Sequence, residues 1–591
     1  MAKYSVVELS INAGELVGMD KLNNDKKNAL EKNNAIYIYR GTKSKKVYIG
    51  QTMHFIERHK QHYSGWEEKF NEAEFNKVII IFSLYFNRSA LDDVESQLIT
   101  YFTADNFKKA GLVSFDSDDV INRTSGNGVN EYIGREKIIS EVIIPVWEKE
   151  LYPRGWVSNS KLDELKTREL VKYSPIKQLT EEQCQLITEI INNRDKNYVI
   201  NGDAGTGKTV LLTHLVAKII KERPKAKVGV VVQPNWEKTC NDIFKVYGIN
   251  NNYISIATST KIITKKEKYD IIIVDESHKL SRKCGKQHFS FGKVYDIEEF
   301  KDCNSHLEIL KKMGNQIILM YDVLQAIRPA NVTREMFQAL TEDYEKRFLH
   351  TQFRIQAPKG KSYTSDDYIN GIKYLLYKDT GLLESKFTAY NPKFNKEVFQ
   401  DKSEDAYFGY VIDKPLHRLI DWIEEDRNLN ANHINRVLSG MFICDTVDKW
   451  HLSDGKDSSL THFHEDELNR RWNSSQENWI NCEDLDAEEQ IGSVFAVQGI
   501  DLNKVGVIIG PDIKVNEAGV LEGVPNKHGN DNNKFTKEEM LESGNRFEFT
   551  LYILNQYYVL LTRGIDGIRL GFWANDEFRR YMEKTLEIID N

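Results

Sequence analysis

Residues 198–212, YVINGDAGTGKTVLL, decide the fold of this 591-residue chain. An apolar run typical of a strand leads into a glycine-rich octapeptide, and a run typical of a helix follows. Phosphates bind where glycines let backbone N–H groups come close, at a helix N-terminus, beside a lysine and a hydroxyl that holds Mg²⁺. The stretch therefore predicts an α/β fold with a nucleotide phosphate loop. Its predicted binding residues are Gly202, Ala204, Gly205, Thr206, Gly207, Lys208 and Thr209, the last as a Mg²⁺ ligand.

A second stretch, YDIIIVDESH at residues 269–278, is an apolar strand that ends in two acids. In phosphate-loop enzymes an acid at this place holds Mg²⁺, and a second acid orients and deprotonates water. We expect Asp275 and Glu276 to take these roles. Adjacent acids after an apolar strand favour hydrolysis of the nucleotide over transfer of its phosphate.

From residue 179 onward, buried-type strands alternate with helical stretches, as in KVGVVVQP, NQIILMYD and KVGVIIGPD. Continuous apolar runs separated by helices are typical of parallel sheets covered on both faces. Two polar stretches in the second half, residues 450–479 and 514–544, are rich in Asn, Ser, Gly and charges. We interpret them as surface insertions.

Six motifs follow one another in this region: LTEEQ, VVQPNWEKT, YDVLQAI, HTQFRI, FAVQGIDL and NQYYVLLTRGIDG. In this order they resemble a superfamily 1 helicase core, closest to the Schlafen group 3 type. The resemblance implies two RecA-like lobes, an ATP-binding lobe at 179–343 and a second lobe at 344–591. It also implies ATP, Mg²⁺ and nucleic acid as ligands.

The same resemblance assigns roles to single residues. They are Gln183 at the adenine, Gln325 at the γ-phosphate with Asp322 nearby, Gln498 and Gly499 between ATP and the bound strand, and Arg354 and Arg563 on the γ-phosphate from the second lobe. An arginine delivered in this way is worth about 10³ to 10⁵ in rate. Since such an arginine arrives only when lobes close, hydrolysis becomes tied to domain motion.

The N-terminal stretch IYIYRGTKSKKVYIG, residues 36–50, places two aromatic and β-branched runs around a basic turn and predicts paired strands. The next predicted helix, in GQTMHFIERHKQH, puts Arg58 and His62 four residues apart on one face. A later amphipathic segment carries Glu95, and INRTSGNG carries Asn122.

These residues resemble the GIY-YIG endonuclease module, a small mixed α/β domain that we expect at 30–130, followed by a connector at 131–178. Ala35 stands where that family has its first glycine. The resemblance implies that Glu95 binds one Mg²⁺ or Mn²⁺, that Arg58 holds the scissile phosphate, and that Tyr37 acts as or with the general base. The network is completed by Tyr48, His62 and Asn122.

A possible metal site is formed by Cys284, His288, Cys303 and His306, whose spacing zinc could accept. The alternating order of cysteine and histidine is unlike that of the common zinc fingers. A loop with scattered soft residues is therefore the favoured interpretation.

Composition limits the class of protein further. The net charge of −8 does not indicate nucleic-acid binding by itself, because a basic face can lie on an acidic chain. No secretory signal or long apolar run is visible, and none of the six cysteines forms a Cys-x-x-Cys pair, so we expect a cytoplasmic protein.

Together these patterns predict an ATP-driven nuclease-helicase. DNA is the favoured substrate, because the nuclease family acts chiefly on DNA, and fusion of a nuclease to a motor suggests defence against foreign DNA such as phage. Two alternatives stay open. One is a nucleic-acid-stimulated ATPase that uses its N-terminal domain for binding, and the other is an RNA-directed enzyme.

Overall fold

The computed structural model of the chain describes residues 3–64, 70, 73–105, 135–162, 165, 179–203, 205–246, 249, 252–283, 292–328, 330–350, 355, 358, 360–384, 387–430, 433–442, 463–472, 490–497, 502–529 and 546–588. The chain divides into two compact units. The first unit comprises Met1–Asn192, Thr209–Val228 and Gln233–Ala257, and the second unit comprises Asn193–Lys208, Gly229–Val232 and Thr258–Asn591.

The N-terminal part of the first unit is an antiparallel sheet with helices. Its elements are β1 (Tyr4–Asn12), β2 (Glu15–Val17), α1 (Asn24–Lys32), β3 (Ala35–Arg40), β4 (Val47–Thr52), α2 (Phe55–Tyr63), β5 (Lys77–Ser83), α3 (Arg88–Asp105) and α4 (Arg135–Ile138), followed by π-helical turns at Ile139–Ile143 and Val146–Leu151. The strand order is β2-β1-β5-β3-β4, and the listed neighbours pair antiparallel.

Strand β3 is buried on both faces, and its alternation divides the core into two layers. Ile36 and Ile38 pack into one layer with α3, whereas Tyr37 and Tyr39 pack into the other with α2. Successive side chains of a strand point to opposite faces, so one strand serves both layers. The predicted pairing of β3 with β4 is confirmed, and its register runs unbroken through Ala35.

The segment that we expected to be a connector is packed into the first of these layers. Trp147, Leu151 and Leu162 are fully buried there. Strand β1, which pairs with β5 along seven residue pairs, lies before the predicted start of the domain. The domain limits remain predictions, but the hydrophobic core extends beyond them on both sides.

The chain then alternates strands and helices. These elements are α5 (Glu181–Asn192), β6 (Tyr198–Gly202), α6 (Lys208–Glu222), β7 (Val228–Val231), α7 (Pro234–Val246), β8 (Ile254–Ala257), α8 (Ser259–Thr264), β9 (Tyr269–Val274), α9 (His306–Met313), β10 (Gly314–Tyr321), α10 (Arg334–Leu340) and β11 (Glu345–Leu349). In the second unit the strands lie in the order β11-β6-β10-β9-β7. Both partners of β6, and β9 beside β10, pair parallel, which confirms the predicted parallel sheet.

The rest of the second unit contains another parallel sheet. Its elements are α11 (Ser365–Tyr377), α12 (Glu397–Gln400), β12 (Phe408–Val411), α13 (Pro415–Leu429), β13 (Arg436–Ser439), β14 (Phe463–Glu465), β15 (Leu468–Arg470), α14 (Val494–Val497), β16 (Leu502–Ile509), β17 (Ile513–Val515), β18 (Leu521–Gly523), α15 (Arg546–Leu561), β19 (Gly564–Phe572) and α16 (Asp576–Thr585). The order is β12-β19-β16-β13, with parallel pairing throughout. Strands β14 and β15 form a separate hairpin, as do β17 and β18.

In the sheet that contains β6, β9 and β10, the parallel register places the phosphate loop and the segments after β9 and β10 at one edge. Tyr321 at the end of β10 pairs with Asn201 near the end of β6, and β9 runs parallel beside β10. The loops after these strands therefore leave the sheet on the same side, where ligands bind in open α/β sheets. Among the helices that the structure describes, none combines the length and apolarity needed to cross a lipid bilayer.

Candidate functional site

The phosphate loop connects β6 to α6 and is stabilised by its own lysine. Nζ of Lys208 donates to the carbonyl oxygens of Gly202 at 2.6 Å and Asp203 at 3.0 Å. Gly205 and Gly207 have φ of +88° and +79°, in the left-handed region that glycine tolerates at low cost. The loop is thus already folded around a buried ammonium group, as the binding of phosphates requires.

Two acids follow β9 at the same edge of the sheet. The backbone N–H of Asp275 donates to the carbonyl of Val231, which extends the sheet by one residue. Glu276 has a φ of +51°, an uncommon conformation for a residue with a side chain. Its carboxylate lies 2.8 Å from Nε2 of His278 and 3.7 Å from Nζ of Lys279. Backbone strain of this kind concentrates at functional sites.

The two acids titrate in opposite directions. Burial, aided by the charge of Glu276, raises the pKa of Asp275 to about 7. Burial also acts against ionisation of Glu276, but Lys279 and His278 outweigh it and hold the pKa of Glu276 well below its ordinary value. Glu276 is therefore charged at neutral pH. Asp275 gains from a nearby cation, which fits a Mg²⁺ bound through one carboxylate and substrate phosphates.

A continuous series of polar contacts connects the loop lysine to an arginine distant in sequence. Nζ of Lys208 lies 4.0 Å from a carboxylate oxygen of Asp322, which accepts a hydrogen bond from Nε2 of Gln325 at 2.6 Å. Oε1 of Gln325 in turn accepts from Nη2 of Arg563 at 3.4 Å. Arg563 is 1% exposed, and its Nε donates to the carbonyl of Val559. We call Lys208, Asp275, Glu276, Asp322, Gln325 and Arg563 the nucleotide site.

The other residues predicted to bind the nucleotide make local contacts or lie outside the described residues. Thr206 donates through Oγ1 to the carbonyl of Asp203, and Thr209 lies in the first turn of α6. Gln183 is buried in the first unit, where its Oε1 accepts from the backbone N–H of Thr180. The roles of these residues stay predictions. Outside the described residues lie Ala204, Arg354, Gln498 and Gly499.

The first unit brings together the tyrosines, the arginine and the histidine of the N-terminal motif. The hydroxyl of Tyr37 lies 2.9 Å from Nε2 of His62 and accepts a hydrogen bond from Nε of Arg58 at 3.4 Å. Tyr48 stacks beside Tyr37 with a ring-centroid distance of 6.3 Å. Burial, together with Tyr48, raises the pKa of Tyr37, while Arg58 acts against this shift. The predicted helical face of Arg58 and His62 is confirmed.

Glu95 approaches the same place from the other face of the sheet. It accepts a hydrogen bond from Nε2 of Gln51 at 2.9 Å, and the same amide donates to Asp92. Burial raises the pKa of Glu95 to about 7; Gln51 and the charge of Arg58 lower it, whereas Asp92 raises it. A buried carboxylate with a second carboxylate nearby fits a divalent cation. We call Tyr37, Tyr48, Arg58, His62 and Glu95 the tyrosine site. Asn122 lies outside the described residues.

Two residues that contact the predicted sites, Gln51 and Lys373, were missed by sequence reasoning. Gln51 immediately follows the Tyr-Ile-Gly motif, but nothing local connects it to a helix forty residues later. Lys373 is fully buried in α11, where it contacts Asp203 of the phosphate loop. A lysine within the otherwise apolar stretch IKYLLY was the available signal, because a buried lysine requires a partner.

Of the four candidate zinc residues, the structure describes Cys303 and His306. Nδ1 of His306 lies 2.9 Å from the hydroxyl of Ser259, and Cys303 is buried. Cys284 and His288 lie outside the described residues. Within the described ranges, no group of three or more His, Cys, Asp and Glu side chains is arranged to hold a metal ion.

Comparison with known proteins identifies the family of the chain through a match that begins just before the phosphate loop. A family model described as Schlafen group 3, DNA/RNA helicase domain matches residues 195–573. A protein of Saccharomyces cerevisiae, described as uncharacterized protein YPL245W, is 27% identical over 407 residues, which cover 63% of this chain and 80% of that protein.

Solved helicase structures are only weakly similar. Mss116p bound to ssRNA and AMP-PNP matches at 15% identity with a TM-score of 0.33, covering 75% of this chain and 78% of that one. The Pif1 helicase from Candida albicans matches at 13% identity with a TM-score of 0.27, covering 69% and 98%. Scores this low support no argument about function, so the family match is the finding that counts.

Proposed function

The chain belongs to the Schlafen group 3 DNA/RNA helicase domain family, and from this premise we propose that it is an ATP-dependent nuclease-helicase. The family is one of helicase-like ATPases that act on nucleic acid. In our proposal the two parallel sheets of the second unit form RecA-like lobes of a translocase. The tyrosine site of the first unit cleaves phosphodiester bonds.

The motor part of the proposal depends most on the contacts from Lys208 through Asp322 and Gln325 to Arg563. Lys208 binds the phosphates, and Glu276, charged at neutral pH, accepts a proton from the attacking water. Arg563 stabilises the charge that develops on the transferred phosphoryl group. Because Arg563 follows α15 and Lys208 begins α6, movement of either segment changes the rate of hydrolysis. Mg²⁺, when bound at Asp275, supplies charge neutralisation for the phosphates.

The nuclease part depends on the contacts of Tyr37. Burial keeps Tyr37 protonated, so its hydroxyl needs a proton acceptor to serve as a base, and Nε2 of His62 lies 2.9 Å away. We therefore assign Tyr37 and His62 together to proton transfer from water. Arg58, which is partly buried, holds the scissile phosphate, and Glu95 would hold one Mg²⁺ or Mn²⁺, which would act as a Lewis acid.

The proposal includes a substrate and a cellular setting. DNA is favoured because the GIY-YIG family acts chiefly on DNA. A cytoplasmic location follows from the cysteine usage, and defence against foreign DNA follows from the combination of a nuclease with a motor. Deletion of the gene is expected to raise sensitivity to phage, and unchanged sensitivity would remove the support for that role.

The decisive experiment is a side-by-side cleavage assay. Single-stranded, duplex and branched DNA and RNA are incubated with Mg²⁺, with and without ATP, and EDTA serves as the metal-free control. Glu95→Ala is expected to abolish cleavage while ATP hydrolysis survives. The matched control is Glu57→Ala, which removes an exposed glutamate from α2 and should leave cleavage unchanged. Cleavage that survives in Glu95→Ala contradicts the assignment of the tyrosine site.

A second candidate function is a nucleic-acid-stimulated ATPase that uses the tyrosine site for binding, with RNA as a further substrate. The raised pKa of Tyr37 favours a binding role, because a protonated phenol is a hydrogen-bond donor and not a base. The family description, which names both DNA and RNA, favours keeping RNA in the assay. Tight binding without cleavage of every substrate would favour this candidate.

A further inference from the structure

A buried lysine outside the known helicase motifs contacts the phosphate loop. Lys373 of α11 is fully buried, and its Nζ donates to Oδ2 of Asp203 at 2.5 Å and to Oγ1 of Thr388 at 3.0 Å, as well as to the carbonyl of Ala389. Oγ1 of Thr388 donates to the other carboxylate oxygen of Asp203 at 3.2 Å. Both oxygens of Asp203 are therefore held by side chains from one region.

The carboxylate of Asp203 would repel the negative charges of a triphosphate bound in this loop. It is the second residue of the loop whose backbone surrounds the phosphates, and its side chain is largely buried. Burial is the main cause that raises the pKa of Asp322 and of Asp366, and the negative charge of Asp203 adds to the shift of both, so the loop lies among several acids. Like charges within a few ångströms repel strongly when water is excluded. The ammonium group of Lys373, which contacts the carboxylate of Asp203, offsets this repulsion.

The helix that carries Lys373 also contacts the segments at the opposite end of the nucleotide site. The hydroxyl of Tyr368 donates to the carbonyl of Leu561 at 2.8 Å, two residues before Arg563. The hydroxyl of Tyr377 donates to Asn555 at 2.8 Å, and Asn555 donates to the carbonyls of Val323 and Ala326 on either side of Gln325. One helix thus fixes the phosphate loop, the Gln325 turn and the Arg563 turn.

We propose that Lys373 is a positioning residue of the nucleotide site, which neutralises Asp203 so that the phosphate loop accepts the triphosphate of ATP. The inference rests on the proposed ATPase function. Lys373 acts through Asp203 and does not itself bind phosphate. Because the effect is electrostatic, removing Lys373 weakens binding of ATP more than binding of ADP, which carries one charge fewer.

The test measures KM for ATP, kcat, and the affinities for ADP and a non-hydrolysable ATP analogue in the full-length chain. Lys373→Met is expected to raise KM for ATP about tenfold to a hundredfold, since it leaves a carboxylate unpaired beside the phosphates. The double variant Lys373→Met with Asp203→Asn carries neither charge, and its KM is expected to return to within about threefold of the original. Lys361→Met is the matched control.

Lys361 also contacts two carboxylates, Asp401 and Asp405, but lies outside the nucleotide site. Its substitution should leave KM unchanged. The inference is overturned if Lys373→Met keeps its KM, or if the double variant stays as impaired as the single variant. Should Lys373→Met fail to fold, the double variant decides alone, because it buries no unpaired charge. Absence of ATP binding by the unmodified chain would instead overturn the proposed function.

Discussion

The nucleotide site and the tyrosine site are built by different forces. In the nucleotide site and its loop, carboxylates face lysines: Asp203 faces Lys373, Asp322 faces Lys208, and Glu276 faces Lys279. In the tyrosine site, aromatic rings surround the ring of Tyr37. Tyr37 contacts the rings of Tyr39, Tyr48, Phe55 and His62 at centroid distances between 5.5 and 6.3 Å.

This difference predicts which substitutions each site tolerates. Buried ion pairs leave an uncompensated charge when one partner is removed, so the nucleotide site should respond steeply to loss of charge. A site held by packing should respond to loss of a single hydroxyl or to added volume. The tyrosine site also keeps Glu95 with a pKa of about 7, since burial outweighs the groups that lower it. Substitutions in each site test this contrast.

The largest effect is expected from Lys208→Ala. The substitution removes the buried ammonium that the loop is folded around, so ATP hydrolysis should fall by at least about 10³-fold. Cleavage of short substrates should persist, because the tyrosine site contains none of the charges that are lost. Phosphate release and cleavage are measured on the same preparation.

Lys196→Ala, which removes an exposed partner of Glu345, is the control and should leave both rates unchanged. Equal loss of both activities would mean that the two sites are not separable.

The second-largest effect is expected from Arg563→Lys. A lysine keeps the charge but lacks the planar fork that reaches Gln325 and a phosphate together, so kcat should fall about 10³-fold with little change in KM. The matched variant is Arg569→Lys in β19. Arg569 is a partly buried arginine whose guanidinium donates to the carbonyls of Ala406 and Tyr407. This control should lower the melting temperature and leave kcat unchanged. Similar kcat values for both variants would contradict the assigned role of Arg563.

Sequence reasoning succeeded where the signal was local. The phosphate loop and the acids after β9 lie within short stretches whose spacing fixes their geometry. The same holds for Arg58 and His62, because residues four apart share a helical face. Parallel sheets followed from continuous apolar runs. Each of these features depends on neighbours within one or two elements.

Contacts between distant residues could not be predicted. Asp203 and Lys373 are 170 residues apart, and Gln51 and Glu95 are 44 apart, so no local rule connects them. The segment around Trp147 was interpreted as a connector with helical pieces, because it is charged and interrupted by prolines. The structure continues in helical turns on both sides of Pro145, since a proline at the start of a turn needs no donor. Burial of Trp147 is a tertiary property that its own segment does not indicate.

Tyr37→Phe tests the packed site by removing one hydroxyl. The ring remains, but His62 and Arg58 lose their shared partner, so cleavage should fall about 10²-fold, a typical loss for general acid–base catalysis. Tyr39→Phe is the matched control. Tyr39 is an equally buried tyrosine whose hydroxyl lies 2.7 Å from Nδ1 of His59. Its loss should reduce stability and leave cleavage within about threefold. Equal effects of the two substitutions would reduce Tyr37 to a structural role.

The smallest effect is expected from Gly50→Ala, which adds volume to the tyrosine site. An added Cβ would lie 2.4 Å from the hydroxyl of Tyr37 and 2.5 Å from its Cζ, so the ring must move. Overpacking of this kind typically costs about 1–3 kcal/mol. Chemical denaturation should show this loss, and cleavage should fall about tenfold as the hydroxyl leaves His62.

Gly567→Ala in β19 provides the contrast, since its added Cβ would meet Trp422 at 3.3 Å, which a small shift relieves. Only a minor loss of stability is expected there. ATP hydrolysis should stay unchanged in Gly50→Ala, because added volume at Tyr37 alters no charge in the nucleotide site. Cleavage that survives Gly50→Ala in full would mean that the ring position is not what sets the activity, and the contrast between a packed and a charge-paired site would then lose its basis.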